Sequence, residues 1–546
     1  MKSGPRTDPW VGRGIFAGIT LISLGWALYT QHAWEDFFIT YRASKNLAMG
    51  NGLVFTVGER IQTFTSPIQA LVPAAIAWLT GCRSDSLVLW IFRIPGACAL
   101  GGCGVFLWRI SRRAGWPAVA TLACIGLFAF DAKTLDFTAN GMETPYLLFF
   151  MAWQAFLVFT GGSTPWLGVA WAGMMYARPD ACIQIAAFYG ALLVLGREGI
   201  TRGELALRAV RAGMVAAVLY APWILWTAWY YGSPIPNTIL AKGLNSPHGF
   251  ADIARSIGEA PLRMIVNGDF NRFLFAPTFI ELGPISDWGL PSHCLWLLLS
   301  LLPWAYWLNP WGGRLARTFS LWLFLDSIYE VCAPRYPWYL PPYALVAMIA
   351  WGFMIGDLTG RVASDAGAAR LPTAGSLRKA LPWVVLALLL FQLRTAGLMA
   401  ETMREQQLLI EDGNRRPLGV WLHDHSAPGD TVFLECLGYI GFYSNLKMYD
   451  YPGLSSREMI AARKKLGTDD YGALIRELKP VWLVLRAGEA RGLASADPGL
   501  LRGQDTSAYV LARTYDRSAQ VAELGDLPGR SLLVWDQTFL VFHRRH

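Results

Sequence analysis

Charge is what this sequence has little of. Asp, Glu, Lys and Arg make up 16% of its 546 residues, against roughly 25% in an ordinary soluble protein, and the shortfall excludes both a cytosolic globular enzyme and a disordered tail. Cysteine is scarce as well: Cys98, Cys103, Cys124, Cys182 and Cys332 lie in apolar runs and Cys436 stands alone in the C-terminal part, so no disulfide scaffold can be read. No internal repeat and no low-complexity linker is visible, which weakens the case for a transporter built from two similar halves. The first apolar run follows Lys2, Arg6 and Arg13 but has no small-residue cleavage pattern before Gln31, and it reads as an uncleaved signal anchor.

What the chain does have is 54% hydrophobic and 13% aromatic residues, gathered into runs such as 14–29, 215–231 and 381–393. Short loops holding nearly all the Arg and Lys separate the runs, the pattern of a many-pass membrane protein. About eleven spans are expected, near 12–30, 86–109, 117–131, 145–160, 165–178, 181–196, 211–231, 290–308, 318–332, 339–357 and 381–399. With alternation, Arg112/Arg113, Arg197/Arg202/Arg208, Arg314/Arg317 and Arg361/Arg370/Arg378/Lys379 fall on the side of the basic N-terminus. That side is read as cytoplasmic, and the C-terminus as outside. The net charge of +8 is thereby taken up in anchoring loops, and nucleic acid is not an expected partner. The apolar stretch 67–80 is too short to span and reads as a re-entrant or interfacial helix.

The expected division is therefore an all-α membrane domain over 1–399 and an outer α/β domain over 400–546. The first outer loop, 31–85, is unusually long and holds juxtamembrane helices; a second large outer segment covers 232–290. In the tail, strand-like 431–435, 481–486 and 532–535 with 540–543 alternate with helix-like 401–425, 455–465 and 471–478.

The polar clusters all fall at span ends on the outer face. Glu35 and Asp36 are adjacent acids just after the first span; one of such a pair tends to hold its proton, and it can take one from a sugar hydroxyl or hold a cation. The plainer reading makes Asp36 the cap of an amphipathic helix. Asn140-Gly141-Met142-Glu143-Thr144-Pro145, Arg178-Pro179-Asp180, Pro236-Asn237-Thr238 with Ala241-Lys242, and Pro334-Arg335-Tyr336 follow. Chain breaks bearing charges at one membrane face, far apart in sequence, are what a site at the lipid–water boundary requires. Asp326 and Glu330 either face that site or pair with a neighbouring helix. The group Trp223, Trp226, Trp229, Tyr230, Tyr231 reads as an interfacial belt, and His423-Asp424-His425 as a solvated turn.

The run Glu35-Asp36-Phe37-Phe38-Ile39-Thr40-Tyr41-Arg42, with Asn46-Leu47-Ala48, Gly52-Leu53-Val54-Phe55, Gly58-Glu59-Arg60-Ile61 and Thr65-Ser66-Pro67, resembles the first outer loop of bacterial GT-C glycosyltransferases. It is most similar to the group containing the mycobacterial terminal arabinofuranosyltransferase. Gly141-Met142-Glu143-Thr144-Pro145, Arg178-Pro179-Asp180, Pro236-Asn237-Thr238, Arg335-Tyr336 and Gly438-Tyr439-Ile440-Gly441-Phe442-Tyr443-Ser444 extend the likeness over nearly the whole chain. Glu35 and Phe37 depart from it, standing where Asp and a small residue are common.

The resemblance implies an inner-membrane transferase that moves a sugar, chiefly D-arabinofuranose, from a polyprenyl phosphate to an extracytoplasmic glycan or protein. In that reading Asp36 is the base and Glu35 its helper. Arg178, Lys242 and Arg335, with Arg42 in reserve, face the leaving phosphate, where fixed cations offset developing charge. Asn237, Tyr336, Glu143 and Asp180 complete the donor pocket. A carboxylate acting instead as nucleophile through a covalent intermediate stays open. No cofactor is required; a divalent cation is compatible with Glu35, Asp36, Glu143 and Asp180. The rival expectations are a GT-C enzyme moving a hexose or aminoarabinose to lipopolysaccharide or pilin, a lipid-linked-sugar flippase, and a structural envelope-assembly subunit.

Overall fold

The computed structural model describes residues 8–243, 249–266, 290–332, 336–364, 372–501 and 507–545. Helix α1 (Pro9–Thr30) starts where Asp8 accepts a hydrogen bond from Trp10 N at 3.0 Å with proline at the first position, and stops at Gln31 in the left-handed region. The first loop then carries α2 (Glu35–Ala48) and α3 (Pro67–Leu79), the latter capped by Ser66. At 13 residues α3 is too short to cross a bilayer. It lies against α2, through Ser44 Oγ donating to Ala70 O at 2.8 Å, as expected for a juxtamembrane helix.

Helices follow in the order α4 (Asp85–Arg113), α5 (Ala118–Ala129), α6 (Ala132–Ala139), α7 (Thr144–Thr160), α8 (Thr164–Ala177), α9 (Ala181–Leu195), α10 (Arg202–Tyr231), α11 (Asn237–Gly243) and α12 (Phe250–Val266). Leu290–Ala305, Arg314–Cys332, Leu340–Ser364 and Pro372–Glu405 complete the described membrane helices. A helix stands at each expected span. Among the described residues five are long and apolar enough to cross a membrane, and α5 with α6, bent by 43°, makes a sixth if the pair is one span. Pro67–Leu79, Thr144–Thr160, Ala181–Leu195 and Leu297–Leu308 are shorter apolar helices.

Pro372–Glu405 passes residues 399 and 400 unbroken, continues as a π-helical stretch, Gln406–Arg415, and then as the α-helix Arg416–His425. Beyond it lies a five-stranded sheet in the order β2-β1-β3-β5-β4, with β1 (Thr431–Leu434), β2 (Lys447–Asp450), β3 (Trp482–Arg486), β4 (Tyr509–Asp516) and β5 (Thr538–Arg544). β1 runs parallel to β2 and β3, whereas β5 is antiparallel to β3 and β4. Every residue of β3 is buried, as befits a central strand covered on both faces. The expected strand at 532–535 is instead part of a helix, Arg530–Asp536; its apolar residues pack Leu532 and Leu533 beside Ile410, a helical and not an alternating pattern.

The C-terminal domain is bolted to the first loop. Arg42 Nη1 and Nη2 donate to Gly441 O and Leu446 O at 2.7 and 3.0 Å. Asn237 Nδ2 donates to Gly453 O and Leu454 O at 2.8 and 2.9 Å. Lys447 bridges Glu59 and Glu458.

Candidate functional site

The start of α2 is fixed from two sides. Trp34 N donates to Asn140 O at 3.0 Å, Ala33 N to Gln407 Oε1 at 3.0 Å, and Tyr439 OH to Ala33 O at 3.1 Å. Trp34, not Asp36, occupies the cap position and makes no side-chain cap bond, so both acids are released for other contacts. In the turn before α7, Gly141 has φ +92° and a Cβ there would meet the Phe37 ring at 2.5 Å; only glycine lets this turn lie on α2, and it brings Glu143 to the same place as Asp36. Arg178 ends α8 in an extended conformation that the following Pro179 enforces, and Asp180 starts α9.

These pieces surround a cavity of about 270 Å³. Its lining includes Arg178, Asp180, Lys242 and the aromatic run Tyr336, Trp338, Tyr339, the acids Glu35, Asp36 and Glu143, and the polar side chains Gln69, Thr63 and Thr65. Glu435, Leu437, Pro452 and Leu454 close the cavity from the C-terminal domain. Arg178 grips Asp180 through two bonds of 3.1 and 2.6 Å and lies 3.9 Å over the Tyr339 ring. Tyr329 OH donates to the same carboxylate at 2.7 Å. Lys242 Nζ sits 4.6 Å from the Tyr336 ring centre, and Tyr336 stacks on Trp338 at 4.6 Å.

The acids differ in proton affinity. Burial pushes Glu35 up to about 8, with Arg415 offsetting only part of that and Glu435 and Glu411 adding to it. Burial also raises Asp36, with Lys242 pulling it down and Glu435 pushing it up. Glu143 rises to about 7, again from burial, against the pull of Arg178. For Asp180 burial is outweighed by Arg178 and by the Tyr329 bond, and its carboxyl stays below the usual range. Near neutral pH the cavity therefore holds protonated and ionised carboxyls side by side, the arrangement from which acid and base roles are drawn.

Of the site residues expected from the sequence, the structure brings together Glu35, Asp36, Glu143, Arg178, Asp180, Lys242 and Tyr336. Arg42 and Asn237 do not line the cavity: both are spent on carbonyls of the C-terminal domain, because their places on α2 and α11 face its docking surface. Arg335 lies outside the described residues. Asp326 and Glu330 are buried in Arg314–Cys332 and line no part of the cavity. Among the described residues neither carboxylate oxygen of Asp326 makes a hydrogen bond to a neighbouring helix. His423 and His425 contact the carbonyls of Ser444 and Trp421. Among the described residues no three His, Cys, Asp or Glu side chains form a group able to hold a metal ion. Sequence reasoning missed Glu435, Gln69, Trp338 and Tyr339. The signal for Glu435 was its position just past a strand of a parallel pair, where α/β sheets bind ligands.

The crystal structure of ArnT from Cupriavidus metallidurans bound to undecaprenyl phosphate superposes with a TM-score of 0.53 over 98% of both chains, at 12% identity. This chain has the GT-C fold. In sequence the GT-C chain is related to the terminal beta-(1->2)-arabinofuranosyltransferases of Corynebacterium glutamicum and Mycobacterium tuberculosis. It is 28% identical to the first over 300 residues and 26% identical to the second over 257. Those alignments span 51% and 42% of this chain and 41% and 38% of the relatives, less than half of their length. Residues 401–536 match a family described as a domain of unknown function, DUF8728. With its apolar helices and this fold, the chain is a multi-pass membrane protein.

Proposed function

We propose that this chain is a glycosyltransferase of the bacterial cytoplasmic membrane that moves D-arabinofuranose from a polyprenyl phosphate to a glycan or protein outside the cytoplasm, with its C-terminal domain on that outer side. The observation that carries the reading is the cavity itself, about 270 Å³, whose lining brings the carboxyls of Glu35, Asp36 and Glu143 together with Arg178 and Lys242 in a chain of apolar helices. A lipid-phosphate sugar needs those parts together: a greasy surface for its tail, cations for its phosphate, and an acid for the attacking hydroxyl.

In the direct course the acceptor oxygen forms a bond to the anomeric carbon, the bond from that carbon to the phosphate oxygen breaks, and the polyprenyl phosphate leaves with the electron pair. Arg178 and Lys242 offset the charge that appears on it. Asp36 takes the hydroxyl proton, and its raised affinity suits a base working near neutral pH. Glu35, whose proton affinity burial raises, accepts from Gly438 N through Oε1 at 2.9 Å and keeps the first turn of α2 in place beside Asp36. The stacked Tyr336 and Trp338 offer a flat face to a sugar ring. A two-step course through a glycosyl ester would give the opposite product configuration, read by NMR of the glycoside.

The test is transfer from synthetic polyprenyl-phosphoryl arabinofuranose to an arabinan oligosaccharide by purified protein in nanodiscs. The wild type transfers and Asp36→Asn does not. Transfer by Asp36→Asn at the wild-type rate removes Asp36 as base, and no transfer by folded wild type removes the reading.

A further inference from the structure

Among the described residues the C-terminal domain contributes one carboxylate to the cavity, Glu435, and its setting is unlike that of the other acids. In the order β2-β1-β3-β5-β4 the connection after β1 runs to β2 on one side and the connection after β3 runs to β4 on the other, which makes the gap between the carboxyl ends of β1 and β3 a switch point, the place where open α/β sheets bind ligands. Glu435 follows the last residue of β1 and Arg486 is the last residue of β3; Arg486 Nη2 meets Glu435 Oε2 at 2.6 Å across that gap. Pro452 and Leu454, which follow β2, complete this wall.

Below the cavity the pair extends into an alternating chain. Arg486 Nε meets Asp536 Oδ1 at 2.6 Å, Asp536 Oδ2 meets Arg415 Nη2 at 2.7 Å, and Arg415 Nη2 reaches Glu35 Oε2 at 3.2 Å. Arg415, Arg486 and Asp536 are all buried. Two cavity carboxylates, 400 residues apart in sequence (435 − 35), are thus held in register by buried charges of the C-terminal domain. Gly438 tightens the joint, for a Cβ there would stand 2.2 Å from Glu35 O. Glu435 keeps Oε1 outside these contacts, since Arg486 and Cys436 both address Oε2.

Among the described residues the cations that line the cavity, Arg178 and Lys242, come from the membrane domain with the aromatic run, and Glu435 comes from the C-terminal domain. A carboxylate that Arg486 holds in place at the cavity lining accepts hydrogen bonds from a neutral hydroxyl and repels a phosphate. We infer that Glu435, at the β1–β3 switch point, is the hydroxyl-binding subsite for the acceptor sugar, and that Asp536 positions it through Arg486. The inference rests on the transferase reading above and assigns the acceptor to the C-terminal wall.

The experiment uses full-length protein in nanodiscs with a linear arabinofuranosyl tetrasaccharide as acceptor probe and undecaprenyl phosphate as donor-site probe. Glu435→Gln raises the acceptor KM at least tenfold while the donor KM and undecaprenyl phosphate affinity stay within twofold, and Glu435→Asp restores part of the loss. Asp536→Asn raises the acceptor KM less, without moving kcat beyond threefold. Direct titration of the tetrasaccharide gives the same ranking. An unchanged acceptor KM in Glu435→Gln, or a donor KM or undecaprenyl phosphate affinity that moves as far as the acceptor's, overturns the subsite. Wild type that neither binds nor glycosylates the tetrasaccharide overturns the transferase reading along with it.

Discussion

Two of the buried charged groups among the described residues differ in what they border: one lines the cavity and the other does not. Around α6, Asp131 accepts from Lys133 Nζ at 2.8 Å and from Thr134 N and Oγ1, while Asp136 accepts from Asn140 Nδ2 at 3.3 Å and contacts His32 Nδ1 at 3.2 Å. Arg93 donates to the carbonyls of Ala139 and His32, both at 2.5 Å. Those partners come from the chain's own turns, and none of these groups lines the cavity. Around α2, by contrast, Glu35, Asp36, Glu143, Arg178 and Glu435 all present atoms to the cavity. Burial of charge alone does not mark a working site. A charged network that stops at a cavity wall does, because its last member still has an interaction to make.

Substitutions can break or sharpen that contrast. Asp36→Asn, which removes the proposed base and changes little else, lowers turnover by about 10³-fold with melting temperature kept, in line with the span of general-base effects; a loss under tenfold in the nanodisc assay ends its role. Arg178→Ala removes a cation and frees Asp180, and costs about 10²-fold, measured as kcat/KM for the polyprenyl-phosphate donor. On the other side of the comparison, Lys133→Met strands Asp131 and destabilises by about 3–5 kcal/mol, read as a lower melting temperature in detergent, while the kinetics of the surviving folded enzyme stay near wild type; a selective kinetic defect would erase the distinction. The smallest effect belongs to Lys242→Met. Asp36 is active when unprotonated, so rate climbs with pH through its pKa, and Lys242 lowers that pKa. Without this cation the acidic limb of the pH–rate profile moves to higher pH, and an unmoved limb uncouples the two residues.

The first-loop acids, the Arg178–Asp180 break and Lys242 were legible in the sequence because each is a polar interruption at the end of an apolar run, a contrast that survives without coordinates. The C-terminal contribution was not. Glu435 sits after a four-residue strand in a domain of ordinary composition, where nothing local separates a cavity acid from a surface one. Arg42 misled for a related reason: its sequence neighbours belong to the motif, but the helix turns it 4.1 Å over Phe55 and into the carbonyls of the partner domain. The helical 530–536 segment shows the same limit, its apolar pattern being short enough to fit either period.

The π-helical stretch 406–415 ends on the arginine that meets Glu35. Ordinary winding advances about 100° per residue, and wide turns of this kind absorb one residue beyond it. Winding the same residues as a regular α-helix would carry that extra residue into the turn count and rotate everything downstream by roughly a quarter turn, pointing Arg415 elsewhere while leaving composition, hydropathy and every motif intact. The phase of one backbone segment thus decides whether the two halves of the molecule read each other.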